Sequence, residues 1–314
     1  MVAAPKKEAR KVLVTGSSGM LGSDLCGVLS ADYDVAGMDN RPCPPAFSGT
    51  FRQLDCDITD ARQTAWCIAG ERPDLIIHAA AWTNVDGCQT DKARAFDVNV
   101  AGTRHVVSAA ARLKAPLFFI STDFVFDGKK GRPYTHRDRP NPLNYYAWTK
   151  REGEKAVCRL ARHVIVRTSW LFGAHGRNFA DVIIDKARTE RTIKVVSDQR
   201  GSPTYTNDLA VALKKLLKTV TARSGRAGGR GWGVYHVSNK NTVSWYDYAK
   251  TAVSFARITD VEVLPIPAGE FDSPARRPAF SGLDTGRFER FTGHRMRSWK
   301  SALKEYINEK YLGA

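Results

Sequence analysis

The chain has 314 residues, of which 43% are hydrophobic and 25% charged, a balance that excludes a disordered, collagen-like or disulfide-scaffold protein. Its six cysteines, Cys26, Cys43, Cys56, Cys67, Cys88 and Cys158, form no CxxC pair and no Cys/His set at zinc spacing, so no structural zinc is expected and they read as reduced thiols of a cytoplasmic protein. Forty-eight Lys and Arg against 32 Asp and Glu give a formal charge of +16, which suits phosphate-bearing ligands; without a nucleic-acid-binding signature, nucleic acid is not the expected partner.

The opening stretch MVAAPKKEARK lacks the apolar run of a signal peptide, and no run of about 18 apolar residues predicts a membrane span. From about residue 11 to 168, short apolar runs alternate with longer amphipathic ones. KVLVTG, DYDVAGMD, DLIIHAA, APLFFIS and HVIVRTS read as buried strands. MLGSDLCGVLS, TDARQTAWCIAG and DKARAFDVNVAGTRHVVSAAARL read as the helices between them. Strand–helix–strand order of this kind predicts an α/β fold, a doubly wound parallel sheet of Rossmann type.

After Ser169 the pattern weakens. A helix is predicted over TNDLAVALKKLLK, a strand at VYHVS, a helix over VSWYDYAKTAVSFA and another near SWKSALKEYI. The Gly- and Arg-rich stretch SGRAGGRGWG, residues 224 to 233, reads as a surface loop rather than an RNA-binding segment. Residues 1–170 with about 204–258 are assigned to a dinucleotide-binding domain. Residues 171–203 with 259–314, where Pro265, Pro267, Pro274 and Pro278 crowd, form a smaller substrate-binding lobe.

Gly16, Gly19 and Gly22 follow the first strand, with Met20 and Leu21 opening the first helix. Glycines there let the backbone approach a pyrophosphate seated at the positive helix N-terminus. The spacing is G-x-x-G-x-x-G, and by itself it also fits a tight turn without a ligand. The second strand ends at Asp39, followed by Asn40 and Arg41. An acid at this place accepts from the adenosine ribose 2′-OH and favours NAD, while Arg41 offsets its repulsion of a 2′-phosphate, so NADH and NADPH both stay open. Asp57 and Ile58, after a third strand, suit the adenine edge; Asp57 suits a helix cap equally well.

The strand APLFFI leads into STDFVFDG and so places Thr122 at a strand end. Tyr146 and Lys150 lie four residues apart in a helix beginning near 144, on one face. An ammonium beside a tyrosine favours its phenolate, which allows the phenol to exchange a proton with a substrate oxygen, and Thr122 can bond the same oxygen. A hydride donor, a proton donor and a polarising group are what carbonyl reduction needs.

These motifs together resemble the dTDP-4-dehydrorhamnose reductase family of the extended short-chain dehydrogenase/reductase superfamily. The resemblance runs from about residue 11 to 310, through AAAWTNVDGCQTDKARAFDVN, STDFVFDG, PLNYYAWTKREGE, RTSWLFGAHGRNF, SDQRGSPTYTNDLA and RPAFSGLDT in order. It implies that Thr122, Tyr146 and Lys150 reduce the C4 ketone of a nucleotide-linked 4-keto-6-deoxy sugar with NADPH or NADH. It implies further that Ala79, Ala80, Ala81 and Asn99 line the cofactor cleft, and that Thr83, Val85, Asp123, Trp170, Asn178 and Arg277 contact the sugar nucleotide. Trp170 also fits the core and Asn178 a helix cap.

Departures from the family pattern are Ala147 in place of Gly and Phe124 in place of Tyr. Some members bind Mg²⁺ through glutamates at a homodimer interface; here the position after the glycine turn holds the shorter Asp24, so no metal ligand is assigned. Two alternatives share the scaffold. One is a nucleotide-sugar epimerase; the other is a non-catalytic regulatory subunit like that of methionine adenosyltransferase. A 4,6-dehydratase would need Asp-Glu after the threonine, and Asp123-Phe124 stands there instead.

Overall fold

The computed structural model describes residues 10–223 and 231–313. Most of the Gly- and Arg-rich stretch, residues 224–230, lies outside the described residues, as do residues 1–9. The first half alternates strand and helix as β1 (Lys11–Thr15), α1 (Met20–Ser30), β2 (Asp34–Asp39), β3 (Arg52–Asp55), α2 (Ala61–Glu71) and β4 (Leu75–His78). Then come α3 (Val85–Thr90), α4 (Lys92–Phe96), α5 (Thr103–Leu113), β5 (Leu117–Thr122), α6 (Tyr145–Val157) and β6 (His163–Thr168). The predicted helix 91–113 is interrupted by a π turn at Asp97–Gly102.

The second half contains β7 (Leu171–Phe172), α7 (Phe179–Thr189), β8 (Thr192–Val196), β9 (Arg200–Gly201), β10 (Thr204–Tyr205) and α8 (Thr206–Arg223). It closes with β11 (Gly233–His236), β12 (Val243–Ser244), α9 (Trp245–Phe255), β13 (Glu262–Ile266), α10 (Gly286–Thr292) and α11 (Trp299–Ile307).

The main sheet has seven strands in the order β11-β6-β5-β4-β1-β2-β3, all parallel. Alternation along each strand sends side chains to opposite faces. Val12, Val14, Phe118 and Ile120 therefore pack on one face with Leu25 and Leu29 of α1 and Leu213 and Leu216 of α8. Leu13, Phe119 and Ile165 pack on the other with Ile68 of α2, Val106 of α5 and Val157 of α6. Strand order reverses between β1 and β4, and a crevice opens at the carboxyl ends of the strands there, where such folds bind ligands.

Beside this sheet, α7, α9 and α11 share a cluster built on Ile184, Tyr248, Trp299 and Tyr306. A second small cluster joins α7 and α9 to β8 through Ile183, Val253, Ile193 and Val195, and β8 pairs in parallel with β13. Among the described residues no helix is long and apolar enough to cross a membrane.

Candidate active site

A cleft of about 1460 Å³ runs over the carboxyl ends of β1, β2, β4, β5 and β6. Its floor at β1 is the glycine turn. Gly16 has φ +73°, and a Cβ there would lie 2.6 Å from the Ala80 nitrogen. A Cβ on Gly22 would lie 1.9 Å from the Gly16 carbonyl. Both positions thus require glycine, which brings the turn flat against the chain leaving β4. Helix α1 starts without a side-chain cap or an acidic residue in its first turn, leaving its first N–H groups beside Met20, Leu21 and Gly22 at the cleft wall. A helix start of this kind can accept a phosphate group.

Asp39, buried at the end of β2, has its carboxylate engaged already. Oδ2 accepts from the Ser18 backbone N–H at 3.0 Å and Oδ1 from that of Arg41 at 3.0 Å. The Arg41 Nε stands 3.4 Å from the same Oδ1, with 62% of its side chain exposed. Asp39 therefore ties the loop after β2 to the glycine turn, a task that its place in the sequence does not disclose. Asp57 accepts from both the backbone N–H (2.9 Å) and the hydroxyl (2.8 Å) of Thr59 and from Asn40 at 3.3 Å. The cap of α2 is Asp60, not Asp57.

At the inner end of the cleft, β5 delivers Thr122 and α6 delivers Tyr146 and Lys150. Asn144 caps α6 by accepting from the Ala147 N–H at 2.8 Å, and its amide donates to the Arg276 carbonyl at 2.8 Å. This anchors the first turn of α6 to the Pro-rich segment that carries Arg276 and Arg277. Tyr146 and Lys150 are both buried. Burial pushes the Tyr146 phenol above its ordinary range, Asp123 adds to this, and the facing Thr122 hydroxyl acts against it. The expectation that an adjacent ammonium favours the phenolate is thus corrected: desolvation dominates and keeps the phenol protonated.

Burial pulls Lys150 down to about 8, with Glu154 acting against it. Its Nζ lies 4.3 Å from the Phe119 ring centroid. One turn further along α6, Glu154 accepts from Arg167 Nε and Nη2, both at 2.8 Å, and from Ser121 at 2.7 Å.

Asp123 lies beside Thr122, and its Oδ1 accepts from the Thr122 hydroxyl at 3.1 Å. At the outer end Arg277 forms a forked ion pair with Asp86 (3.1 and 2.8 Å) and donates to Ser273 and to the Ala275 carbonyl. Trp170 adopts a left-handed backbone, φ +47°. Its ring stacks on Trp245 with centroids 3.3 Å apart and planes 3° apart.

The cleft thus brings together Gly16, Gly19, Met20, Leu21, Gly22, Asp39, Asn40, Arg41, Asp57, Ile58, Ala79, Ala80, Ala81, Thr83, Val85, Thr122, Asp123, Tyr146, Lys150, Trp170 and Arg277. Two predicted residues do not line it. Asn99 is buried; it accepts from the Trp82 N–H at 2.7 Å and donates to the Trp82 carbonyl at 3.0 Å and to Thr149 at 3.1 Å. It braces the cleft wall against α6. Asn178 caps α7 by accepting from the Ala180 and Asp181 N–H groups, and it donates to Tyr306 at 2.8 Å.

Sequence reasoning missed Trp82, Arg94, His175, Arg177 and Trp245, which also line the cleft. His175 and Arg177 lie inside the block RTSWLFGAHGRNF; Trp245 stands at a helix start with no motif around it. Asp24 faces His175, Oδ1 to Nε2 3.5 Å. No group of three or more His, Cys, Asp or Glu that could hold a metal occurs among the described residues.

Residues 10–312 match the model of the RmlD substrate binding domain. The chain is 36% identical over 295 residues to a dTDP-4-dehydrorhamnose reductase of Streptomyces griseus, covering 93% of this chain and 91% of that one. It is 35% identical over 302 residues to the spore coat polysaccharide biosynthesis protein SpsK of Bacillus subtilis, covering 96% and 98%. A crystal structure of dTDP-4-dehydrorhamnose reductase from Bacillus anthracis in complex with NADP superposes with a TM-score of 0.85 at 34% identity, over 97% of this chain and 100% of that one. Sequence, cleft geometry and these likenesses agree that the chain belongs to the dTDP-4-dehydrorhamnose reductase family.

Proposed function

We propose that the protein reduces the C4 ketone of dTDP-4-dehydro-L-rhamnose to the alcohol of dTDP-L-rhamnose, using a reduced nicotinamide dinucleotide. The observation that carries this reading is the convergence of Thr122, Tyr146 and Lys150 at the inner end of one cleft whose other end is a phosphate-accepting glycine turn. The uncapped α1 N-terminus, Asp39 to Arg41, Asp57 and Ala79 to Ala81 would hold the dinucleotide, which supplies the hydride when bound.

The chain's own residues do the rest. The Thr122 hydroxyl donates to the C4 carbonyl oxygen and polarises it. Tyr146, protonated at neutral pH because burial raises its pKa, gives its proton to that oxygen as negative charge develops. The Lys150 ammonium, one helical turn away, stabilises the phenolate left behind. Thr83, Val85, Trp170 and Arg277 line the outer part of the cleft, where Arg277 supplies a fork suited to a diphosphate. Cysteines without disulfides support a reducing compartment, the cytoplasm.

The test is loss of reduced-nicotinamide absorbance with purified protein and dTDP-4-dehydro-L-rhamnose made in situ. Turnover that requires the sugar nucleotide supports the reading; cofactor binding without turnover would overturn it.

The adenosine end favours NADPH within this reading. Asp39 is engaged by two backbone N–H groups, whereas the Arg41 guanidinium is mostly exposed at the cleft and suits a 2′-phosphate. Removing one charge-assisted hydrogen bond costs about 1.5 kcal/mol, roughly tenfold. Arg41→Ala should therefore raise KM for NADPH by about that factor and leave KM for NADH little changed. Equal effects on both cofactors would refute the assignment.

A further inference from the structure

Tyr146 is left as a buried phenolate after each turnover and has to be reloaded with a proton. One group beside it has no role in the chemistry described so far. Asp123 is 2% exposed, lines the cleft, and touches the Thr122 hydroxyl through Oδ1 at 3.1 Å. Its other oxygen, Oδ2, is buried without a hydrogen bond of good geometry. Hydroxyl and N–H donors, with Oδ2 left over, compensate a buried negative charge only in part, whereas a carboxylic acid needs fewer partners.

The neighbours do not supply a counter-charge. Ser281 and Thr122 face Asp123 with hydroxyls and Phe124 with its backbone N–H. From α6 comes Tyr146, with Cys88 of α3 beside it, while the Lys150 ammonium of the same helix lies over the Phe119 ring. Below, the Arg167 guanidinium on β6 is bound to Glu154. Burial accordingly pushes the Asp123 carboxyl up to about 7, against the Ser281 and Thr122 hydroxyls that act to lower it.

We propose that Asp123 is the proton reservoir of this site and reloads Tyr146 through the Thr122 hydroxyl; the inference rests on the reductase reading. The Thr122 oxygen has two acceptor positions and one donor. One acceptor is filled by the Phe124 N–H at 3.2 Å. The second accepts from protonated Asp123 while the hydroxyl turns its own hydrogen to the Tyr146 phenolate. The Asp123 proton moves to the Thr122 oxygen and the Thr122 proton to the phenolate. The net result is neutral Tyr146 and an Asp123 carboxylate, which takes a proton from solvent once product has left and the cleft is open. Asp123 acts through Thr122, so it positions and stores the proton rather than attacking substrate.

The test compares wild type with Asp123→Asn, which keeps the shape and cannot supply an acidic proton. Wild-type kcat should fall as pH rises through about 7, with a further fall near 8 from Lys150. In Asp123→Asn the first fall should vanish, and kcat at neutral pH should drop about tenfold or more, the lower end of what a positioned acid contributes. The first turnover uses the proton already on Tyr146, so Asp123→Asn should show a burst of one cofactor oxidised per site before a slow steady state.

An unchanged pH profile, or a first turnover as slow as the later ones, would overturn the relay and leave a structural role. Infrared titration of cofactor-free wild type provides a readout that needs no variant and no activity. A carboxylic-acid carbonyl band titrating near pH 7 and absent from Asp123→Asn supports the proposal. If every wild-type carboxyl is ionised well below pH 7, the proposal is overturned. Wild type without any turnover would instead overturn the reductase reading.

Discussion

At the inner end of the cleft the reactive groups stand on long regular elements, Thr122 at the last residue of β5 and Tyr146 and Lys150 in the first turns of α6. At the outer end they come from irregular chain and short elements: Arg277 from a Pro-rich segment, Asp86 from the six-residue α3, Trp170 from between β6 and β7. The polar groups differ in the same way. Inner groups are buried and incompletely paired, so desolvation decides their protonation. At the outer end the charged groups are paired with one another, Arg277 with Asp86 across 191 residues of sequence. On the proposed reading the inner end moves protons, and the outer end has to exchange one set of partners for another when a ligand arrives.

The largest effect should come from the inner end. Tyr146→Phe removes the acid while leaving the ring, and turnover should fall by about a hundredfold or more, the range for loss of a positioned proton donor. Cofactor affinity, read by fluorescence titration, should stay within about threefold, because the loss falls on a step made only in the transition state. Near-normal turnover would remove Tyr146 from the chemistry and, with it, the contrast between the two ends.

The outer end should respond in binding rather than in rate. If Arg277 is the proposed fork for the diphosphate, Arg277→Ala should raise KM for the sugar nucleotide by about tenfold or more with kcat less affected. Asp86→Asn should act in the opposite sense or not at all, since it weakens the hold on Arg277 in the free protein while leaving the guanidinium free to bind. If Asp86→Asn raises KM as much as Arg277→Ala does, the two residues bind substrate as a unit and no exchange of partners takes place.

The main sheet was legible because its strands are buried on both faces and so appear as continuous apolar runs; KVLVTG, DLIIHAA and APLFFIS became β1, β4 and β5 at the center of the sheet. Much of the second half was not. In β13 the sequence EVLPI carries Pro265, which reads as a break, yet among the described residues the strand pairs only with β8, in register Pro265 with Val195. A strand with one neighbour tolerates a missing N–H on its open side. Asp39 was located at its strand end, but nothing local signals that the Ser18 N–H, 21 residues away, takes up its carboxylate. Likewise the Tyr146–Lys150 spacing is visible in sequence, while the direction of the Tyr146 shift depends on burial that only the packed fold creates.

Asn178 tests the boundary between the two kinds of residue, because sequence reasoning allowed it to be either a substrate ligand or a helix cap. Its Oδ1 accepts from the Ala180 N–H at 3.0 Å and from the Asp181 N–H at 3.3 Å, and the Asp181 side chain returns the bond to the Asn178 N–H at 3.2 Å. Those contacts absorb its acceptor oxygen, and Asn178 does not line the cleft. Asn178→Ala should therefore cost about 1 kcal/mol or somewhat more in urea unfolding, as cap removals do, while KM for the sugar nucleotide changes by less than about threefold. Asn178→Ser, which can still cap, should recover most of the stability. A variant of normal stability whose KM rises tenfold would place Asn178 at the substrate and require α7 to uncap on binding, an arrangement in which the outer end rearranges its helices as well as its ion pairs.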